Sequence, residues 1–506
     1  GFSIASQTPA YRSVAMMELG KLLIRQRQYA RALTYIEEAI ACNVGNCTAY
    51  HLQVVALRRW DRKEEAREVA RMRLLSDPLD HLLRYEAGLG EDLYIHSEWP
   101  HETFIEMAAF YTDIEDWGAA VEILRLSPEH PMVELWKAWV LFQKEGKTGP
   151  DLRDKVDRMS PENVFPHRHE DLTVLRWAVV HASCWRVKYF FALGLIQLMK
   201  EREASMLLDD CGDEPDWYPF YLVRARLRQD GEADLLRAVD LAPEAWRASL
   251  ALARYYGGKE QWRAAVQAAE KGYLIHTGNY YLGLQLAGYY MHNGQYEDGI
   301  QLMKALKVLP NEGASEGRNV WRETHLHAAI AAFVRGEYEQ AGEYIRKARE
   351  WPENMGVGRP YDVDERLEDY LECCLGRMGG EVEKGEINKN RIVEEGIVED
   401  RISSFREKYP SWPAGSGDLL TLLVLREQGK MGVFESGRRS WLSREDERLQ
   451  IRWCNAFLDG DRELLDRMAL EKMSPPVILP YEIPYEDRAF ELIRKMHQTG
   501  LLKTNE

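Results

Sequence analysis

Apolar residues recur along this chain at the three- and four-residue spacings of an α-helix. Few windows alternate apolar and polar positions strictly, so strands are not expected to dominate. Within the helical windows one pattern returns. A helix carries small residues, a tight turn holding Tyr or Trp comes next, and a second helix has Ala at a fixed offset from that aromatic. Leu19-Gly20 leads to Tyr29, Ala32 and Ala39; Met107-Ala108 to Tyr111, Trp117 and Ala120; Leu252-Ala253 to Tyr256, Trp262 and Ala265. Leu286-Ala287 leads to Tyr290, Tyr296 and Gly299, and Ala328-Ala329 to Tyr338, Ala341 and Ala348. Ala32 and Ala66 are 34 residues apart, as are Ala253 and Ala287, Tyr256 and Tyr290, and Trp262 and Tyr296.

Each choice has a packing reason. Gly or Ala on the first helix lets the second cross it closely, and Ala32, Ala120, Ala265 and Ala341 supply the matching small face. The turn aromatic fills the wedge between the two helices. Gly294 and Gly336 stand just past a first helix, where the left-handed C-cap conformation favours Gly. Pro78, Pro243, Pro310 and Pro352 come after second helices, where proline ends a helix without breaking one. The period and the turns Asn-Gly-Gln-Tyr-Glu-Asp-Gly (293–299) and Arg-Gly-Glu-Tyr-Glu-Gln-Ala (335–341) resemble tetratricopeptide repeats (TPR). The resemblance covers about 11–78, 102–128 and 246–352. The fold it implies is all-α, an α-solenoid of TPR-type helix hairpins with irregular C-terminal helices.

A narrower resemblance lies in Ser-Pro-Glu-Asn-Val-Phe-Pro-His-Arg-His-Glu-Asp (160–171) and Pro-Glu-Asn-Met-Gly-Val-Gly-Arg-Pro-Tyr-Asp-Val-Asp-Glu-Arg-Leu-Glu-Asp-Tyr (352–370). These segments are similar to the C-terminal TPR region of large bacterial proteins whose N-terminal part is a mutarotase-like β-sandwich of unknown function. That resemblance implies a neighbourhood in carbohydrate metabolism, and this sequence contains no such sandwich. The chain begins with Gly1 rather than Met, which reads as a segment of a longer protein.

The expected organisation is an N-terminal set of TPR-like pairs over 11–145, a linker over 146–171, a central array over 172–380 that is most regular at 246–352, and a C-terminal helical region and cap over 381–506. Within these, 93–101 reads as a polar break and 353–366 as a Gly/Pro-rich loop leading into a helix near Asp364. Residues 381–408 read as one long exposed helix, 475–484 as extended, and a terminal helix begins near 486.

Composition narrows the function classes. At 506 residues the chain is too long for one compact core. Its 45% hydrophobic and 29% charged residues are ordinary for a folded protein, so disorder is not the default. A net charge of −16 without a basic stripe argues against nucleic-acid partners, and no apolar run of about 18 residues offers a membrane span. The seven cysteines (Cys42, Cys47, Cys184, Cys211, Cys373, Cys374, Cys454) are scattered with no C-x-x-C. They read as buried thiols of a reducing compartment, which favours the cytoplasm.

No catalytic motif stands out: H-E-x-x-H, a Walker A loop, G-x-S-x-G and a dinucleotide fingerprint are all absent. His167, His169, Glu170 and Asp171 have the composition of a metal loop, but a solvated loop before a helix, with Glu170 and Asp171 favouring its N-terminus, explains them better. His325 and His327, two apart on a helix, point in different directions. Tyr280, Tyr281, Tyr289 and Tyr290 form either core packing or an exposed stripe. No metal or other cofactor is expected. Partner-binding residues are expected where first helices line the concave face of a TPR array: Arg247, Arg254, Tyr281, Gln285, His292, Glu323 and His327, with Leu250, Gly288 and Ile330 beside them. This face lacks the paired Lys and Asn of the clamp by which some TPR co-chaperones hold a C-terminal carboxylate. The expectation is a non-catalytic scaffold holding a protein or peptide, its own upstream domain included. The alternative is a helical toroid that binds or processes a glycan.

Overall fold

The computed structural model describes residues 1–89, 98–147, 149, 151–311, 314–359, 363–379, 389, 392–393, 415–442, 447–472 and 487–504. Among them every regular element is a helix. The expected exposed helix over 381–408 and the extended stretch over 475–484 lie outside the described residues, as does most of the polar break. The chain divides into two compact units, Gly1–Leu241 and Ala242–Glu506. The division falls inside the span read as one central array, while 146–171 lies within the first unit.

The first unit stacks the hairpins Pro9–Arg25 with Tyr29–Cys42, Cys47–Arg59 with Lys63–Leu74, and Pro100–Asp113 with Trp117–Arg125. Trp185–Gln197 with Glu201–Asp209 and Tyr218–Leu227 with Glu232–Leu241 come after them, with single helices between. The second unit opens with the three most regular hairpins: Trp246–Gly258 with Trp262–Ile275, Tyr280–His292 with Tyr296–Ala305, and Glu316–Val334 with Tyr338–Ala348. It continues through Arg366–Gly379, the pairs Gly417–Glu427 with Met431–Trp441 and Leu449–Asp459 with Arg462–Met468, and ends in Ala489–Gln498.

The small residues sit where the pattern requires. Ala32, Ala120, Ala265 and Ala341 are wholly buried. A Cβ on Gly20 would press into Ile36, which crosses it from the second helix. Of the cysteines, five are buried as expected, but Cys42 and Cys47 are exposed because they flank the connection between two hairpins.

One turn closes nine of these hairpins. A single residue with left-handed backbone stands two positions before the second helix: Arg27, Asp61, Glu115, Met199 and Glu260 with φ between 56° and 64°, and Gly294, Gly336, Gly429 and Gly460 with φ between 70° and 80°. The N–H of the next residue then donates to the carbonyl five positions back, as Gln28 does to Leu23 (2.9 Å), Asp116 to Tyr111 (2.8 Å) and Lys430 to Leu425 (3.0 Å). This is the Schellman arrangement, which satisfies carbonyls the helix end would leave open.

Candidate functional site

The first helices of the regular hairpins place their exposed faces together in the second unit. A cleft of about 300 Å³ opens there, lined by Arg254, Trp262, Gln285, Gly288, His292 and Glu323 among others. Gly288 widens it, since a Cβ at that position would meet no atom within 4 Å.

Arg254 and Tyr281 are exposed and joined to each other: the Arg254 Nη2 donates to the Tyr281 hydroxyl, and the guanidinium lies 5.4 Å from the ring centroid. Arg247, one face-repeat earlier on the same helix, is exposed and rests on Trp246 at 4.4 Å. Gln285 is half-buried in the wall. His292 stacks on Trp262 at 4.4 Å with 16° between the rings and keeps its other side exposed; the water lost from the stacked side, together with the nearby Lys495 ammonium, lowers its pKa. Leu250 and Ile330, expected beside these residues, belong to the core at 6% and 0% exposure.

Glu323 and His327 differ from the rest, because the end of the chain reaches them. Arg488 clamps Glu323 through both Nε and Nη2, the latter at 3.0 Å from Oε2, and its Nη1 lies 3.9 Å from Glu316. Lys495 donates to His327 Nδ1 at 2.9 Å and to the Tyr296 hydroxyl at 3.0 Å. Burial and the Lys495 charge drive the His327 pKa down to about 3, so the ring is neutral and accepts. Lys472 pairs with Glu260 at 2.7 Å. The terminal helix is held in place by its own core face: Phe490, Ile493 and Met496 are fully buried, with Phe490 edge-on to Trp453 at 5.9 Å. Sequence reasoning missed Arg488, Lys495 and the double role of Trp262. Trp262 was visible as a turn aromatic, whereas nothing local marks a cation 165 residues away from its carboxylate.

The other candidates resolve into packing. Asp171 accepts from Trp136 Nε1 (2.9 Å) and from the backbone N–H groups of His167 (3.2 Å) and Arg168 (3.1 Å), capping its helix, while His167 and His169 point to solvent. Among the described residues no group of three or more His, Cys, Asp or Glu is placed to hold a metal ion. His325 is buried against Trp321, with its Nδ1 2.7 Å from the Trp321 carbonyl oxygen. Of the four tyrosines only Tyr281 is exposed; Tyr289 is buried and the Tyr290 hydroxyl donates to Glu270 at 2.5 Å. The segment 352–370 stitches the regular hairpins to the helices that come after them. Asn354 donates to the Met303 and Leu306 carbonyls at 2.9 Å each, and Arg366 ties Asp364 (2.8 Å) to Asp418 (3.0 Å).

A wider cleft of about 690 Å³ lies in the first unit, lined by Glu129, Asp151, Asp154, Arg158 and His130. Its charged side chains face water, and His130 is buried behind them, stacked on His101 at 3.8 Å. Aromatic side chains do not line it as they line the smaller cleft, so size alone does not make it the better site.

No protein-family model matches the chain, and no curated protein matches it. Solved structures give distant likenesses. The complex described as Naa15/Naa10 bound to HypK-THB has a chain 10% identical, with 92% of this chain and 91% of that one covered and a TM-score of 0.32. Yeast Tom70 is 11% identical over 92% of this chain and all of its own, at a TM-score of 0.29. Human IFIT1, solved with PPP-AAAA, is 13% identical over 78% of this chain and 89% of its own, at 0.26. Among the described residues no helix is long and apolar enough to cross a membrane. The described residues form an all-helical array of TPR-type hairpins.

Proposed function

We propose that the chain is a non-catalytic scaffold that holds a protein or peptide partner in the cleft of its second unit. The observation that carries this is the cleft's lining: Arg254, an indole–imidazole stack and an amide converge around the open space at Gly288, and Arg254 is bonded to the exposed Tyr281 beside it. Aromatic and arginine side chains of this kind are what interface hot spots are made of. A sister domain of the same polypeptide is one such partner, as the family resemblance of 160–171 and 352–370 implies. The toroid-enzyme reading has less support. Glycoside hydrolysis needs one carboxyl held protonated and a second one placed to act as base or nucleophile. The two carboxylates lining this cleft, Glu316 and Glu323, both face the Arg488 guanidinium.

The test is affinity capture from the source lysate with the full chain, its Gly288→Trp variant and its Tyr281→Ala/His292→Ala variant, read by mass spectrometry. Gly288→Trp fills the cleft whatever the occupant's chemistry. Proteins captured by the parent chain and lost with both variants support the scaffold; equal capture by all three places binding elsewhere.

A further inference from the structure

Gly288 stands inside the Tyr280–His292 helix, a place where glycine is unfavourable. Other glycines inside helices of this chain have a packing reason. At Gly20, Gly194, Gly272 and Gly283 an added Cβ would come within 2.4–2.6 Å of a neighbouring side chain. At Gly288 it would meet no atom within 4 Å, and the same holds at Gly258 across the cleft. Packing within the chain does not account for Gly288; the space it leaves belongs to the cleft.

The surfaces around that space are apolar inside and uncharged in sum. Leu284, Met291 and Val320 form the inner wall, each less than a tenth exposed. The charged lining is two arginines, Arg254 and Arg488, and two carboxylates, Glu316 and Glu323, which cancel. Arg488 faces both carboxylates, with its Nη1 3.9 Å from Glu316 and its Nη2 3.0 Å from Glu323 Oε2, and Arg254 donates to Tyr281. The lowered pKa of His292 keeps its ring neutral at pH 7. Three neutral side chains, Trp262, Gln285 and His292, line the opening with no hydrogen-bond partner among the described residues. Such groups pair with a peptide backbone, and a volume of about 300 Å³ is at the small end for a ligand site, of the size that one large side chain fills.

We propose that the cleft takes one aromatic side chain from an uncharged peptide segment of a partner protein, seated over Gly288 against Leu284, Met291 and Val320, with the peptide backbone held by Gln285. This rests on the reading of the cleft as the partner site. A Met thioether against an aromatic ring is a favourable contact, and a buried aromatic anchor is the commonest hot spot of an interface. A glycan is disfavoured, because Tyr289 is buried and one face of Trp262 is covered by His292.

The experiment selects binders to the full chain from a random peptide library and measures them by fluorescence anisotropy. The variants are Gly288→Trp, Gly258→Trp, Gln285→Ala and the remote control Arg153→Glu, each checked for folding by circular dichroism. The two tryptophan variants fill the cleft from opposite sides, so either serves if the other does not fold, and Gln285→Ala decides if neither does. A glycan array is probed with the parent chain and the same variants. The expected result is peptides with one indispensable Phe, Tyr or Trp, whose replacement by Ala lowers affinity about tenfold or more. Their affinity is lost on filling the cleft, falls about threefold with Gln285→Ala, is unchanged by Arg153→Glu, and moves less than about twofold between roughly 50 and 300 mM salt. Cleft-dependent peptides that need Asp, Glu, Lys or Arg instead, or that bind as well without any aromatic residue, keep the partner site and overturn this proposal. A glycan bound by the parent and lost on filling the cleft, with no peptide selected, overturns it in favour of a glycan. Peptides indifferent to all three cleft variants, or no binder of either kind, overturn both it and the partner-site reading.

Discussion

At the scale of single residues, the hairpin turn concentrates the chain's backbone strain. Five of the nine left-handed turn positions carry a side chain with a Cβ, and Met199 does so at 84% exposure with no packing in return. A non-glycine residue in that region costs about 1–2 kcal/mol. Glycine's extra freedom in the unfolded chain gives back roughly 0.4–1 kcal/mol of that. Met199→Gly is therefore expected to stabilise the first unit by about 0.5–1 kcal/mol, seen as a higher midpoint in urea with an unchanged slope. A lower midpoint would mean that the turn is not under strain.

Whole elements were legible in the sequence to the extent that local chemistry defines them. The hairpins over 246–352 could be read because Trp262, Tyr296 and Tyr338 open their second helices and Ala265, Gly299 and Ala341 stand three positions later. The pairs at 417–441 and 449–468 were legible only as helical patterns. Met431 and Arg462 stand in the aromatic position there, and Phe434 and Leu465 replace the small residue. Gly429 and Gly460 were the available signal, since they repeat the left-handed turn of Gly294 and Gly336. The concave residues could be reached from repeat register, but the placement of the terminal helix against Glu323 and His327 could not. Contacts between distant segments are set by packing in three dimensions, and one sequence carries no pairing code for them. The Arg488–Glu323 pair should matter energetically, because Glu323 is left with little water once Arg488 is removed. Arg488→Ala is expected to cost about 2–3 kcal/mol, and adding Glu323→Gln should recover much of the loss. Thermal melts of the single and double variants decide it; an equal loss in both would assign the cost to packing rather than to the stranded charge.

Over the molecule as a whole, buried histidines set the response to mild acid. Burial holds His130 and His325 at a pKa of about 4, and His327 at about 3. In the unfolded chain each returns to about 6.5. As pH falls below that value the unfolded chain takes up protons that the folded one refuses, so stability is full above about pH 7 and drains toward pH 3 to 4. At about pH 5.5 each histidine withdraws roughly 1 kcal/mol. The melting temperature should fall steadily from about pH 7.5 to 5.5, before carboxylates titrate. A flat profile over that range would show that these rings are protonated as readily in the folded chain as in the unfolded one.

Biosynthesis gives the terminal helix a further meaning. Glu323 is synthesised 165 residues before Arg488, a delay of roughly 8–30 seconds at ordinary translation rates. For that time Glu316 and Glu323 have no Arg488 to face. Lys472 and Arg488 supply the cations that face Glu260, Glu316 and Glu323, so a product that stops short of residue 472 leaves these three carboxylates without those partners.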